Sequence, residues 1–148
     1  MTGRITGHFI FAAASLVFAA GASAQSIDVW KSASCGCCAL WVKHLEQHGY
    51  TPKPRDVAAG QLARIKADAR LPTDVQSCHT AKVGGYVIEG HVPAEDIKRL
   101  LLEKPDAIGL AVPGMPAGSP GMEAGDQKES YEVLLVRRDG TTEVFSRY

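Results

Sequence analysis

Three of the four cysteines fall within four positions, at Cys35, Cys37 and Cys38, and the fourth, Cys78, is followed at once by His79. Thiolates are soft ligands that suit Cu(I), zinc or iron–sulfur clusters, and a Cys-x-x-Cys pair is also the pattern of a thiol–disulfide exchange centre. The clustering therefore predicts a redox centre or a soft-metal site rather than ordinary core cysteines.

The redox interpretation rests on Cys35 and Cys38, which form a Cys-x-x-Cys pair at the expected start of a helix. The helix dipole and the free backbone N–H groups at such a position stabilise a thiolate. This favours a thiol–disulfide oxidoreductase. Cys37 argues against it, because a third thiol beside the pair offers competing disulfides.

The metal interpretation uses all four thiols. Structural zinc sites normally take two spaced cysteine pairs, and only one cluster is present here. Adjacent Cys37 and Cys38 point in different directions, so bridging of several Cu(I) ions fits better than one tetrahedral ion. Cys78 is favoured as a further ligand, whereas a framework of two structural disulfides is less favoured because its cysteines would normally be spread along the chain.

Histidines and methionines are weaker candidates. His79 is either a partner of the thiols or a buried core histidine, and His91 follows a predicted strand near which the cysteine loop could lie. Met115 and Met122 fall in a Pro/Gly-rich stretch, where they are either Cu(I) ligands or a packed lid.

A second pair of histidines, His44 and His48, is one helical turn apart and could bind one ion together. We favour a solvated helix face for this pair, because the spacing alone is common on exposed helices.

The elements that must position these residues follow from periodicity and from turn signals. Strands are predicted at 27–30, 50–57, 78–82, 85–89, 133–136 and 144–145, and helices at 37–48, 62–69 and from Pro93 to Leu101. The prolines at 50–57 predict an edge strand. Asp139-Gly140 predicts a C-terminal β-hairpin. The stretch 105–130, rich in Pro, Gly and Met, is predicted to be a long functional loop.

The βαβα and ββα order predicts a single α/β domain with a thioredoxin-like fold, in which a strand, a loop and a helix carry the active cysteines. Residues 1–24 have the layout of a secretory signal peptide, with Arg4, an apolar run and a small-residue cleavage site before Gln25. We therefore expect a mature domain of residues 25–148 in the periplasm, not held in the membrane after cleavage.

Charge excludes one class of partner. The full chain has 16 basic and 16 acidic side chains, and removal of Arg4 leaves 15 basic against 16 acidic ones. A chain with this balance and no Lys/Arg run is not expected to bind nucleic acid. A metal, a small molecule or a protein thiol fits better.

Four motifs together resemble the CopG-like family, small exported proteins of bacterial copper-resistance systems. They are Cys35-Gly36-Cys37-Cys38, Ser77-Cys78-His79-Thr80-Ala81, the run from Gly85 to Ala94, and the run from Gly109 to Pro116. The resemblance implies a thioredoxin-like fold and copper bound by the four cysteines. It also implies partners among other copper-resistance proteins, and redox handling of copper. Whether the protein is an enzyme stays open.

Overall fold

The computed structural model describes residues 25–148, so the predicted signal peptide lies outside the described residues. Three α-helices, one short 3-10 helix and seven strands make up this part of the chain. In chain order they are β1 (Ser26–Lys31), α1 (Gly36–Gln47), β2 (Thr51–Asp56), α2 (Ala59–Asp68), the 3-10 helix (Thr73–Val75), β3 (Thr80–Val83), β4 (Tyr86–Glu89), α3 (Ala94–Glu103), β5 (Gly109–Ala111), β6 (Glu132–Val136) and β7 (Thr142–Arg147).

All seven strands join one mixed sheet in the order β2-β1-β3-β4-β5-β6-β7. β1 is parallel to β2, and β4 is parallel to β5, while the other neighbours are antiparallel. β2 is therefore an edge strand, as its two prolines predicted. β6 and β7 pair antiparallel at the opposite edge, and Asp139 and Gly140 lie in the connection between them.

The sheet separates two apolar clusters. α1 and α3 cover one face, where Trp41, Leu45, Ile97 and Leu100 are fully buried against strand residues such as Ile88. A smaller cluster covers the other face and contains Leu71, Val75, Val87, Ala111 and Val136. Neighbouring residues of β4 alternate between the two clusters, as the pleat of a strand requires.

The predicted helices and the first four predicted strands correspond to observed elements, with ends that differ by a few residues. β5 is the main difference, because it lies inside the predicted loop 105–130. Its three residues are all buried and pair on both sides, with β4 and with β6. A strand this short that is buried on both faces has no alternating pattern to reveal it.

Membrane crossing can be judged only for the described part of the chain. No helix within residues 25–148 has both the length and the apolar content that a membrane span needs.

Candidate metal centre

The first three cysteines lie at the end of the loop between β1 and α1 and in the first turn of α1. The Cys35 N–H donates to the Ser32 carbonyl at 3.1 Å, which closes the turn that follows β1. Cys35 is then the N-cap of α1, and its sulfur accepts the Cys38 backbone N–H at 3.3 Å. A sulfur thus takes the capping role that a serine or aspartate oxygen usually fills. The predicted placement at a helix N-terminus is confirmed.

Cys35 and Cys38 are joined by a disulfide, with their Cα atoms 5.3 Å apart, whereas Cys37 and Cys78 are free thiols. The Cys37 Sγ lies 3.5 Å from the Cys35 Sγ. The ligand atoms of all four cysteines lie within 4.8 Å of one another. Reduction of one bond would therefore convert a site with two thiols into a site with four, without any large movement of the chain.

Cys78 belongs to a second cluster as well. It precedes β3, and its Sγ lies 3.3 Å from His79 Nδ1 and 3.2 Å from His91 Nε2. The three ligand atoms of this cluster also lie within 4.8 Å of one another. Cys78 is thus the residue that links the sulfur cluster to the two imidazoles.

The hydrogen bonds of His91 fix which of its nitrogens is available. His91 Nδ1–H donates to the Pro120 carbonyl at 2.8 Å, so a neutral ring presents the bare Nε2 to Cys78. Burial lowers the pKa of His91, which favours that neutral ring. A carbonyl that fixes the tautomer in this way is the usual partner of a metal-binding histidine.

His79 is fully buried, and its Nε2 has no hydrogen-bond partner within residues 25–148. Burial, and after it the proximity of His91, holds the pKa of His79 well below its ordinary value, so the ring is neutral. Its other face packs on Trp41, with ring centroids 4.4 Å apart. A buried polar atom without a partner is costly, which makes His79 an unusual core residue and a candidate for a functional one.

The surroundings of Cys78 favour its protonated thiol. Burial, and then the nearby Cys37, raise the pKa of the Cys78 thiol to about 11. The S–H can then donate to the bare Nε2 of His91, which agrees with the tautomer set by Pro120. A metal ion that binds this sulfur must displace its proton.

The Pro/Gly/Met-rich stretch covers the cluster from one side. The Ser77 hydroxyl donates to the Gly114 carbonyl, and the next residue, Met115, places its Sδ 4.0 Å from the Cys37 Sγ. Gly121 has a φ of +86°, and a Cβ there would lie 2.7 Å from the Trp41 nitrogen and 2.8 Å from the Cys37 carbonyl oxygen. The stretch is therefore seated directly on the first turn of α1.

The two methionines of this stretch are placed differently. Met115 is 52% exposed beside the sulfurs. Met122 is only half-buried, and the polar contacts it makes in the described chain come from its backbone, which bonds to Ser119 and Gly118. The structure thus brings Met115, but not Met122, to a sulfur of the cluster.

His44 and His48 use their nitrogens in other ways. His44 Nε2 accepts the Ala94 N–H at the start of α3, at 3.1 Å. His48 is exposed, and its Nδ1–H donates to the His44 carbonyl at 2.8 Å. His48 is exposed on the helix surface, as predicted, whereas His44 is half-buried and links α1 to the start of α3.

Sequence reasoning missed three residues beside the site, namely Lys66, Glu89 and Pro120, whose carbonyl accepts the His91 Nδ1–H. Lys66 and Glu89 are buried, although both are charged. A signal for them existed, because Lys66 stands one turn after Leu62 in the apolar phase of α2, and Glu89 ends an apolar strand. Charged residues at apolar positions usually mark a buried pair.

The donor set itself favours a soft metal. The described groups that could hold an ion consist of thiol sulfurs and imidazole nitrogens, without a carboxylate. Such ligands suit copper or zinc and disfavour magnesium, calcium and manganese. The bare Nε2 of His91, which lies 3.2 Å from the Cys78 sulfur, fits the same chemistry.

Comparison with known proteins gives the family. A family model described as a protein of unknown function, DUF411, matches residues 75–122. No curated protein matches the sequence. One solved structure, titled "Copper resistance protein copG- Form 2", is 44% identical, with a TM-score of 0.79, and the match covers 85% of this chain and 99% of that one. A structure titled "Copper resistance protein copG- Form 1" is 43% identical, with a TM-score of 0.80, and the match covers 85% of this chain and 98% of that one. The chain therefore belongs to the CopG family of copper resistance proteins.

Proposed function

We propose that this protein is a periplasmic copper-binding protein of a copper-resistance system, and that it holds Cu(I) on the thiolates of Cys35, Cys37, Cys38 and Cys78. The observation that carries the proposal is the approach of all four ligand atoms to within 4.8 Å of one another. Sulfurs this close can surround one ion or bridge several, and because Cu(I) favours soft thiolate ligands, the copper we propose is a cluster of several Cu(I) ions bridged by these sulfurs.

The imidazoles and thioethers complete the ligand set in this proposal. His91 offers its bare Nε2 beside Cys78, and His79 brings a second buried imidazole to the same sulfur. Met115 lies at the exposed rim, where a thioether is a suitable first contact for an incoming Cu(I) ion. Met122 is the weakest member of the set, and we assign it to the lid.

The Cys35–Cys38 disulfide supports a redox role for the same site. When both thiols are reduced, formation of the S–S bond releases two electrons and two protons, and each electron can reduce one Cu(II) to Cu(I). Return to the dithiol takes two electrons and two protons from an external thiol reductant. In the oxidised form Cys37, Cys78 and His91 still offer donors for copper.

The compartment and the fold type are part of the proposal. The signal-peptide pattern of residues 1–24 supports export to the periplasm, with residues 25–148 as the mature domain. The observed β1-α1-β2-α2 and β3-β4-α3 order, with the Cys-x-x-Cys pair at the start of α1, supports a thioredoxin-like fold.

The test is metal content and free-thiol count on the mature protein purified from copper-supplemented cells. We expect two or more copper ions per chain and no reactive thiols until the metal is removed. A protein without copper that keeps the Cys35–Cys38 disulfide would contradict the proposal. Cys37→Ser is the informative variant, because it removes a cluster sulfur that the disulfide does not use, and we expect it to weaken copper binding sharply.

A second candidate function is thiol–disulfide exchange by Cys35 and Cys38. The observation that favours it is the disulfide between these residues at the N-terminus of a helix. In that case the metal-free protein would reduce or reshuffle a test disulfide, and Cys37→Ser would retain the activity. If the metal-free protein showed no disulfide exchange, this second function would be rejected and only the copper-binding proposal would remain.

A further inference from the structure

A buried ion pair lies behind the Cys78 loop. Lys66 of α2 and Glu89 of β4 form a salt bridge, and their side chains are 7% and 0% exposed. A buried ion pair loses the hydration of both charges, and its attraction often fails to offset that loss. Stability alone is therefore a weak reason for this pair, and its remaining contacts point to another one.

The Glu89 carboxylate forms hydrogen bonds to the residues on both sides of the Cys78–His79 dipeptide. One of its oxygens accepts the Ser77 N–H at 2.6 Å, immediately before the dipeptide. The other accepts the Thr80 hydroxyl at 2.7 Å, immediately after it. One buried side chain thus holds the backbone on one side of the two site residues and a side chain on the other.

Lys66 closes the arrangement into a ring. Its Nζ donates to the same Glu89 oxygen that holds Ser77, and to the Thr80 hydroxyl at 2.9 Å. Thr80 and Glu89 are also directly opposite each other in the β3–β4 ladder. The carboxylate therefore has partners on every side, and it has little freedom to swing away from Ser77.

The backbone of the same region reaches the other parts of the site. The Glu89 carbonyl accepts the Val112 N–H at 3.0 Å, in the Pro/Gly/Met-rich stretch 105–130 that covers the cluster. The Gly90 N–H donates to the His79 carbonyl at 3.0 Å, and His91 follows. Glu89 is thus hydrogen-bonded to Ser77 beside Cys78 and to Val112 of the stretch 105–130, and it lies two residues before His91.

We propose that Glu89, neutralised by Lys66, is a positioning residue that fixes the Cys78 sulfur against the other cysteines and His91. Its carboxylate bonds to the Ser77 amide, the Thr80 hydroxyl and Lys66, and it acts on Cys78 through Ser77 and Thr80. The positioning of Cys78 is a property of the metal-free protein, while its consequence for copper rests on the proposed function. This separation makes the two claims distinguishable by experiment.

The test compares two double variants that both remove the buried charges. K66M/E89Q keeps an oxygen that can accept the Ser77 N–H and an amide that can reach Thr80. K66M/E89L removes the acceptor and leaves the Ser77 N–H without a partner. Both variants lack the ion pair. A difference between them in the readouts at Cys78 is therefore due to the hydrogen bonds of residue 89 with Ser77 and Thr80, and not to the loss of charge.

A matched control tests for general loosening. Asp96 is another buried carboxylate, 4% exposed, and it accepts the hydroxyls of Ser146 and Tyr148 near the C-terminus. D96N and D96L repeat the same pair of changes on residues outside the site. They should lower the melting temperature without altering the readouts at Cys78.

The first readouts use metal-free protein and need no copper. Hydrogen exchange of the Ser77 amide and alkylation of Cys78, followed by peptide mass spectrometry, report whether the loop is held. We expect K66M/E89Q to resemble the unmodified protein, and K66M/E89L to exchange Ser77 and alkylate Cys78 at least tenfold faster. Equal rates in the two folded variants would overturn the proposal.

The second readout is Cu(I) affinity, measured by competition with a chromogenic chelator. Loss of partners that orient metal ligands typically costs about 10–100-fold in affinity, and we expect a loss of this size for K66M/E89L only. If the unmodified protein binds no copper while the alkylation rates still separate, the copper function fails and the positioning stands. Should K66M/E89L not fold, Thr80→Val decides, because it removes the hydroxyl that bonds to Glu89 with almost no change in shape. An unchanged Cys78 alkylation rate in Thr80→Val would then overturn the proposal.

Discussion

The two pairs of histidines in the described chain have similar separations and different environments. The ring centroids of His44 and His48 are 4.2 Å apart, and those of His79 and His91 are 5.0 Å apart. In the first pair, His44 Nε2 accepts the Ala94 N–H at the start of α3, and His48 Nδ1–H donates to the His44 carbonyl within α1. The second pair faces a thiol.

The contrast teaches that ring separation alone does not make a metal site. What distinguishes the second pair is burial beside a sulfur: both rings are fully buried, and each places one nitrogen next to the Cys78 thiol. A soft sulfur between them supplies the third donor. In the described chain no cysteine is grouped with the first pair, and His48 is exposed.

Replacement of Cys78 by serine should have the largest effect, because this sulfur belongs to both clusters. We expect the Cu(I) affinity to fall by more than about 100-fold, beyond the range for loss of an orienting partner. Chelator competition measures it, and His48→Ala is the control that should bind copper unchanged. An equal loss in the two variants would erase the distinction between the histidine pairs.

Replacement of one histidine from each pair tests the comparison directly. His91→Gln should lower the Cu(I) affinity by about 10-fold or more, because the bare Nε2 beside Cys78 is lost. His44→Gln removes an acceptor for α3 and should leave the affinity as it was. A loss of copper affinity in His44→Gln alone would reverse the assignment.

The free energy of unfolding should depend on pH in part through His44. Burial, and then the nearby His48, lower the pKa of His44 from 6.5 to about 4. Since protonation is easier in the unfolded chain, the contribution of His44 to the free energy of unfolding is complete above pH 6.5 and is lost as the pH falls towards 4.

Urea unfolding of metal-free protein at several pH values between 4 and 7 measures this loss. His44→Gln should reduce the slope of stability against pH. The slope that remains includes His79 and His91, whose pKa values are also lowered, and an opposite contribution from Glu89, whose pKa burial raises. An unchanged slope in His44→Gln would mean that burial and His48 do not lower the pKa of His44 in the folded protein.

Met115 should have the smallest effect. It is 52% exposed, and its sulfur is 4.0 Å from Cys37, so it contributes at the rim and not in the cluster. Met115→Leu should reduce the Cu(I) affinity only a few-fold, measured by the same competition, and Met122→Leu should not change it. A loss as large as that of His91→Gln would make Met115 a full ligand.

The parts of the site that sequence could predict are those fixed by local spacing. The Cys-x-Cys-Cys segment begins α1 as expected, because a strand, a short polar loop and a helical pattern follow one another there. The strands predicted at 78–82 and 85–89 are close in sequence, and the short turn between β3 and β4 sets the register that places Thr80 opposite Glu89.

The remaining parts depend on contacts between residues far apart in the chain. Nothing local indicates that Lys66 of α2 reaches Glu89, or that the Pro120 carbonyl selects the tautomer of His91. The unpartnered nitrogen of His79 is equally invisible, because a missing partner is a property of the packed fold. Four cysteines were therefore easier to identify than the residues that orient them.

Gly121 sets a limit for anyone who wishes to redesign the lid. Because a Cβ at this position would meet the backbone of Trp41 and Cys37, even alanine would lift the stretch off α1. The preceding carbonyl, that of Pro120, would move with it and release the ring of His91. Met115 is exposed and can be varied without this clash, whereas a library that varies position 121 would alter the geometry it was meant to explore.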